Sequence, residues 1–155
     1  MRFFQNCIEA FRDENIDVII SVGKDFDIKK LKNLPTNIYI FNSVPQLEVL
    51  KIADIFVTHG GMNSISESLV CGVPMVVIPF IADQLINANS IEELGIGKCL
   101  TLSEANTNNI KDSVFSVLSD TNIKRNITKF QELINQALGN SGGAEMIIEY
   151  YKHSN

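Results

Sequence analysis

The feature that most constrains this sequence is an alternation of short apolar segments with amphipathic ones. The apolar segments are rich in β-branched residues and predict strands over 17–23, 37–42, 54–61, 73–80 and 97–102. Helical patterns separate or precede them, over 3–14, 45–53, 62–72 and 83–95, and 27–35 is a polar connection with room for one helical turn. Strands that alternate with helices form βαβ units, so the pattern predicts an α/β fold with a parallel sheet and flanking helices.

The strand pattern ends after residue 102. Helical periodicity continues over 107–119, 121–138 and 143–152, and the last of these segments follows the glycine-rich stretch 139–143. The chain has 155 residues, about the size of one domain, and contains no internal repeat, low-complexity tract or long linker. We therefore expect a single domain over 1–155 in which residues 107–155 form a helical tail.

Charge and cysteine usage narrow the class of protein. Thirteen Lys and Arg against eighteen Asp and Glu give a net charge of −5, which argues against non-specific binding to nucleic acid or acidic membranes. Cys7, Cys71 and Cys99 lie far apart with no C-x-x-C pair, which favours a reducing compartment and no metal site. No apolar run approaches the ~20 residues of a spanning helix, and residues 1–17 are too charged for a signal peptide. The sequence thus predicts a cytoplasmic protein without a membrane span or nucleic-acid partner.

A pair of glycines follows the third predicted strand. Gly60 and Gly61 allow a sharp turn and the close approach of a ligand. The first amides of the helix that comes next lack internal partners, and such amides bind anions, most often phosphate. His59 at the strand end and Asn63 and Ser64 at the helix start add polar side chains. Because ligands of parallel sheets bind beyond the carboxyl ends of the strands, these residues predict a ligand that carries phosphate.

A purely structural role for the same residues stays open at this level. Ser64 and Glu67 have the S-x-x-E spacing of a capping box, which would use both side chains at a helix start. A histidine at a strand end and a glycine pair before a helix also occur as plain turn chemistry. The pattern is neither G-x-G-x-x-G nor a P-loop, so the residues alone indicate no reaction.

A longer set of fixed spacings extends over 43–84. It consists of V-P-Q, then T-H-x-G-x-N-S-x-x-E, then G-V-P-M and P-x-x-x-D-Q. This set resembles the nucleotide-sugar signature of the UDP-glycosyltransferase family, and VPQLEVL, THGGMNS and GVPMVVIP are most similar to bacterial macrolide glycosyltransferases. The resemblance implies a Rossmann-like sheet that forms the C-terminal, donor-binding half of a GT-B fold.

The resemblance also implies which residues contact the nucleoside. Val44 would offer backbone hydrogen bonds to the uracil, Gln46 would lie beside base and ribose, and Glu67 would accept both ribose hydroxyls. The family usually has an aromatic residue where this chain has Ser43, which leaves the preference for UDP over TDP open. Phe41 is a candidate replacement for the missing ring, because strand alternation puts it on the side of Ser43.

The remaining implied contacts involve the diphosphate and the donor sugar. The diphosphate would be held by residues of the glycine turn and helix start: His59, Gly61, Asn63 and Ser64. These groups would stabilise the charge that develops as UDP leaves, without proton transfer. Asp83 and Gln84 would bind hydroxyls of the sugar, and their alternative role is to begin the next helix.

Some parts of the family's machinery have no counterpart in this sequence. Family members bind the acceptor and supply a catalytic histidine from an N-terminal domain, whereas His59 is assigned to phosphate here and His153 lies near the C-terminus. We therefore expect no catalytic residue in this chain. The first strand of the donor domain, central in the order 3-2-1-4-5-6, is also missing. We expect its neighbours to close the gap directly, or the chain to self-associate as a homodimer.

The expected function follows from the resemblance. The chain would bind the donor for a glycosyltransferase that moves a hexose from a nucleoside diphosphate to an acceptor hydroxyl with inversion, and it would be inactive alone. No cofactor and no metal are expected, because no Asp-x-Asp pair is present and helix amides with His59 can replace a cation. The expected partners are a UDP-sugar and an acceptor domain, missing here or in a separate subunit. The alternatives are a non-catalytic nucleotide-sugar-binding subunit and, within the same fold, a UDP-N-acetylglucosamine 2-epimerase.

Overall fold

The computed structural model describes residues 2–31 and 33–138, and within them helices and strands alternate as expected. The elements in chain order are α1 (Arg2–Phe11), β1 (Val18–Ser21), β2 (Ile38–Phe41), α2 (Gln46–Leu50), β3 (Phe56–Thr58), α3 (Met62–Cys71), β4 (Met75–Val77), α4 (Ala82–Glu93), β5 (Gly97–Cys99), α5 (Thr107–Ser119) and α6 (Thr121–Leu138). A single 3₁₀ turn, Ile28–Lys30, occupies the polar connection between β1 and β2. The helix predicted over 143–152 and His153 lie outside the described residues.

The strands form two parallel sheets. β1 pairs with β2, with Val18 opposite Ile38, and the second sheet has the order β3-β4-β5. β1 and β3 do not pair with each other. The expectation that the strands flanking the missing one would close the gap directly is therefore wrong for this structure. Residues of β1 and β2 pack instead in the same core cluster as α1, which also contacts α5.

One core cluster lies on a face that both sheets share. Its buried members include Phe11 of α1, Ile20 of β1, Val76 of β4 and Val114 of α5. Helix α1 ends near the start of β2, where the Asn37 amide donates to the carbonyl of Phe11 at 2.9 Å. The first cluster thus joins the two sheets through side chains and not through strand pairing.

A second core cluster covers the opposite face of the three-stranded sheet. Met75 and Val77 of β4 are fully buried there against helix residues of α3, α4 and α6: Ile65, Ala88, Ile91 and Ile127. The β1–β2 sheet has exposed apolar residues on its corresponding face, with Ile19 at 41% and Tyr39 and Phe41 at 46%. The three-stranded sheet is therefore a covered layer, and the two-stranded sheet is covered on one face.

The end of α3 is fixed to the start of β4. The Ser68 hydroxyl, fully buried, donates to the Val73 carbonyl at 2.6 Å, and the Val73 amide donates back to the Ser68 carbonyl at 2.9 Å. Gly72 closes the helix in the left-handed conformation, with φ +69°. This junction sets the direction of α3, and with it the position of the helix start near β3.

Candidate functional site

The turn after β3 is built around Gly60. This glycine is buried with φ +84°, and an added Cβ would lie 2.6 Å from Cγ1 of Val77. Its N–H donates to the Thr58 hydroxyl at 3.3 Å, and its carbonyl accepts from the Asn87 amide of α4 at 2.8 Å. Side chains of β3 and α4 therefore both hold the turn by hydrogen bonds. Sequence reasoning missed Asn87, since nothing local links it to a turn 27 residues away.

Helix α3 begins directly after this turn. Gly61 is its N-cap residue, in extended conformation, and no side chain caps the helix start. The first intrahelical bond runs from the Ile65 amide to the Gly61 carbonyl. Ser64 lies inside the first turn, so the capping-box interpretation of Ser64 and Glu67 is wrong. The uncapped amides at the carboxyl end of β3 form an arrangement that binds anions.

His59 lies beside the start of α3. Its side chain is exposed, and a Cβ added to Gly61 would come within 2.7 Å of the imidazole Nε2. Asn63 is also exposed, in the first turn of the helix. Neither side chain has a hydrogen bond to another residue in the described part of the chain. Both are available to an anion at the helix start.

Three of the predicted site residues meet between α2 and α3. The Gln46 amide nitrogen donates to Glu67 Oε2 at 2.7 Å and lies 3.3 Å from the Ser64 hydroxyl, which accepts from it. All three side chains are half-buried. The hydrogen bond from Gln46 uses Oε2 of Glu67, and no described residue donates to the other carboxylate oxygen, Oε1. The spacing of the motifs did not indicate that Gln46 would orient Glu67.

The segment before α2 contains the residues assigned to the base. Val44 is half-buried and Ser43 exposed, and Pro45 is the N-cap residue of α2. Phe41 is 46% exposed and has no aromatic neighbour in the described residues. Phe41, two residues before Ser43, therefore has an aromatic ring that is partly accessible to a ligand.

Asp83 and Gln84 lie in the first turn of α4. Ile81 is the N-cap residue, and Gln84 Oε1 accepts from the amides of Phe80 at 2.8 Å and Ile81 at 3.3 Å. The carbonyl oxygen of Gln84 therefore does help to begin α4, while its amide nitrogen has no hydrogen-bond partner among residues 2–31 and 33–138. Asp83 is exposed in the same turn. Both residues lie beyond the carboxyl end of β4, next to β3 in the sheet.

Exposed apolar side chains occur at the same end of the sheet. Met62 opens α3 at 46% exposure, and Phe80 and Ile81 lie between β4 and α4 at 51% and 59%. Ile86 of α4 is 69% exposed. Apolar surface concentrated at one end of a domain marks a place where another surface packs.

Residues 2–31 and 33–138 contain neither a candidate metal site nor a candidate membrane span. No group of three or more His, Cys, Asp or Glu side chains there could hold a metal ion. No helix in that part of the chain is long and apolar enough to cross a bilayer.

Comparison with known proteins connects this geometry to one family. The family model described as UDP-glucoronosyl and UDP-glucosyl transferase matches residues 18–137. The NDP-glycosyltransferase YjiC of Bacillus subtilis is 41% identical over 98% of the chain, which spans 39% of that protein. The oleandomycin glycosyltransferase of Streptomyces antibioticus is 29% identical over 94% of the chain and 34% of its own length.

Solved structures show the same fold. The glycotransferase of kitacinnamycin superposes with a TM-score of 0.81 and 35% identity, covering 85% of this chain and 34% of that one. The calicheamicin glycosyltransferase CalG4 gives 0.80 and 26%, covering 97% and 37%. The chain thus spans little more than a third of the length of each of these four proteins. The predicted α/β fold of a GT-B C-terminal half is confirmed, and the chain belongs to the UDP-glucuronosyl and UDP-glucosyl transferase family.

Proposed function

We propose that this chain binds the UDP portion of a UDP-sugar and is the donor-binding part of a glycosyltransferase. The observation that carries the proposal is the layout of α3. An uncapped helix start and the carboxylate of Glu67 lie on one helix, and Asn63 and Glu67 are one i, i+4 step apart, about 6 Å along the axis. That spacing suits a phosphate at the helix start and a ribose beside the carboxylate.

The diphosphate would lie at the uncapped amides after Gly61. The side chains of His59, Asn63 and Ser64, next to or within the first turn of α3, would supply further donors. As the bond to the sugar breaks, negative charge develops on the leaving diphosphate. Fixed amide dipoles aimed at that charge stabilise it without any proton transfer.

The ribose would lie at Glu67. The hydrogen bond from Gln46 orients the carboxylate and leaves one oxygen fully available. A carboxylate can accept both hydroxyls of a ribose in a bidentate geometry. Val44 would contact the uracil through its backbone, and the open ring of Phe41 is the candidate for stacking in place of Ser43.

The donor sugar would lie toward the start of α4. The Gln84 carbonyl oxygen is engaged by two backbone amides, so this side chain can only donate to a sugar oxygen. Asp83 has no such partner in the part of the chain that the structure describes and would accept from a sugar hydroxyl. The two residues therefore have different, complementary roles in the proposal.

The acceptor and the catalytic base would come from another domain or subunit. Exposed Met62, Phe80, Ile81 and Ile86 at the site support the packing of such a surface there. A base from that surface would deprotonate the acceptor hydroxyl, which attacks the anomeric carbon with inversion as UDP leaves. In this proposal the chain alone binds the donor and does not transfer the sugar.

Calorimetric titration tests the proposed donor site. Glu67→Ala should weaken UDP at least about tenfold, because charge-assisted hydrogen bonds to the ribose are lost, and should leave inorganic pyrophosphate unchanged. Glu132→Ala on the exposed face of α6 is the matched control and should change neither affinity. Equal loss of UDP and pyrophosphate in Glu67→Ala, or no binding of UDP by the wild-type chain at millimolar concentration, would refute the proposal.

A further inference from the structure

Asn87 joins α4 to the glycine turn after β3. It precedes Ala88, which is fully buried against the three-stranded sheet, and its own side chain is half-buried. Its amide nitrogen donates to the Gly60 carbonyl at 2.8 Å. Asp83 and Gln84, the residues proposed to bind the sugar, precede it on α4 by four and three positions, so the three residues are neighbours on the helix surface.

The hydrogen bond from Asn87 fixes the plane of the peptide between Gly60 and Gly61. This peptide is trans, so the Gly60 carbonyl and the Gly61 N–H point in opposite directions from one planar unit. Because Asn87 holds the carbonyl toward α4, the Gly61 N–H is directed away from α4. No described residue accepts a hydrogen bond from this N–H.

The backbone by itself does not hold this N–H in one direction. Gly61 is the N-cap residue, so helical geometry orients the amides of residues 62–64 but not its own. The peptide turns with ψ of Gly60 and φ of Gly61, and glycine permits a wide range of both angles. The Gly60 N–H, which donates to the Thr58 hydroxyl at 3.3 Å, belongs to the preceding peptide. Among the described residues, only Asn87 forms a hydrogen bond with the peptide between the two glycines.

A ligand at the start of α3 can reach the Gly61 N–H. Gly61 is only half-buried, and the side chains of His59, Met62 and Asn63 around it are exposed. Gly61 is also the first of the roughly four residues at a helix start whose N–H groups have no partner within the helix. Its N–H is therefore a further donor at the place where the diphosphate is proposed to bind.

We propose that Asn87 is a positioning residue for the diphosphate: by holding the Gly60 carbonyl, it aims the Gly61 N–H at a phosphate oxygen bound at the start of α3. This inference rests on the proposed function, which puts the diphosphate there. Asn87 acts through the peptide and does not contact the ligand. A donor that is fixed before charge develops on the leaving diphosphate needs no reorganisation during the reaction.

Amide NMR of the chain with inorganic pyrophosphate tests the role of Asn87. In the wild type, saturating pyrophosphate should shift the amide protons of residues 61–64 downfield. In Asn87→Ala the shift of Gly61 should be lost, those of residues 62–64 should remain, and pyrophosphate should bind about tenfold more weakly. Asn87→Asp keeps the shape of the side chain but has no donor at pH 7, and it should also lose the Gly61 shift. Asn89→Ala, on the exposed side of α4, is the matched control and should keep all four shifts.

A second measurement needs no ligand. The residual dipolar coupling of the Gly61 N–H reports the direction of that bond. In the free wild-type chain it should agree with the direction in this structure, and in both Asn87 variants it should change, while the couplings of Ile65 and Val77 stay the same. A merely structural role for Asn87 would instead lower the melting temperature and change the couplings of α3 and β4 as well.

The outcomes separate this inference from the proposed function. A Gly61 shift that survives in Asn87→Ala would overturn the inference, as would its absence in the wild type while residues 62–64 respond. An unchanged Gly61 coupling in both Asn87 variants would do the same. In each of these cases the donor site itself would stand. If neither pyrophosphate nor UDP shifts any of these amides, the proposed function is wrong and this inference falls with it.

Discussion

The adjacent glycines of the turn after β3 should respond in opposite ways to alanine substitution. Gly60 is buried with φ +84° and faces Val77, which is itself fully buried. Gly61 has an ordinary φ of −68° and faces the exposed imidazole of His59. We expect Gly60→Ala to damage the fold, and Gly61→Ala to damage ligand binding with little effect on stability.

The cost of Gly60→Ala has two parts. A left-handed conformation costs an L-residue about 1–2 kcal/mol. The new methyl group would meet Val77 Cγ1 at 2.6 Å in a closely packed core, and overpacking of this kind costs about 1–3 kcal/mol. The sum, about 2–5 kcal/mol, is a large share of the ~5–15 kcal/mol by which domains are stable.

The cost of Gly61→Ala is different in kind. Its Cβ would lie 2.7 Å from His59 Nε2, but an exposed imidazole can rotate away. The loss of stability should stay below about 1 kcal/mol, from a poorer N-cap residue. Rotation of His59 removes a donor from the proposed diphosphate position, so we expect about tenfold weaker binding of pyrophosphate and of UDP.

Urea unfolding followed by circular dichroism measures the first effect, and calorimetric titration with pyrophosphate the second. Gly23→Ala is the matched control, since Gly23 has φ +91° with nothing within 4 Å of the added Cβ. Gly23→Ala should show only the conformational cost of about 1–2 kcal/mol, without the cost of overpacking, and should leave the binding of pyrophosphate unchanged. The reasoning fails if Gly61→Ala destabilises the fold as much as Gly60→Ala, or if it leaves pyrophosphate affinity intact.

Further substitutions and treatments have defined outcomes. Asn87→Ala frees the carbonyl of the glycine turn and should weaken pyrophosphate by about tenfold in calorimetry, while Asn89→Ala on the exposed side of α4 should not. Ser68→Ala leaves the Val73 carbonyl without its buried hydroxyl donor and should cost about 1–3 kcal/mol in urea unfolding, with UDP affinity unchanged if the folded site is intact. Burial raises the pKa of Cys7 from 9.0 to about 12, so its thiol should resist iodoacetamide until the chain unfolds, unlike the two half-exposed cysteines. The stability that depends on this neutral thiol is intact below about pH 9 and falls between pH 9 and 12, and Cys7→Ala should show a smaller fall in the urea midpoint over that range.

The order and type of the elements and the bounds of α5 and α6 could be predicted from the sequence, while the lengths of the strands could not. The five strands all lie within the predicted segments but are shorter, as with β4, predicted over 73–80 and observed as Met75–Val77. Pro74 and Pro79 flank this strand and cannot donate to a ladder, so the apolar run extends past the paired residues. Hydrophobic periodicity detects burial, and burial continues into the turns.

The candidate site was only partly predictable for a similar reason. The glycine turn and the helix start are local features, and the structure brings both to the carboxyl end of β3. The contacts of Gln46 with Glu67 and of Asn87 with Gly60 join residues 21 and 27 positions apart, which only tertiary packing can specify. The roles assigned to the individual residues toward UDP and the sugar stay predictions.

The division of the strands into two sheets has a consequence for how the chain loses its structure. No backbone hydrogen bond within the described residues joins strand β1 or β2 to the three-stranded sheet, and the connection runs through side chains of the shared core. The two-stranded part also lacks a covering layer on one face. Its opening therefore needs less free energy than that of the three-stranded part, and heating should melt it first. In hydrogen exchange, the amides of β1 and β2 should therefore open before those of β4.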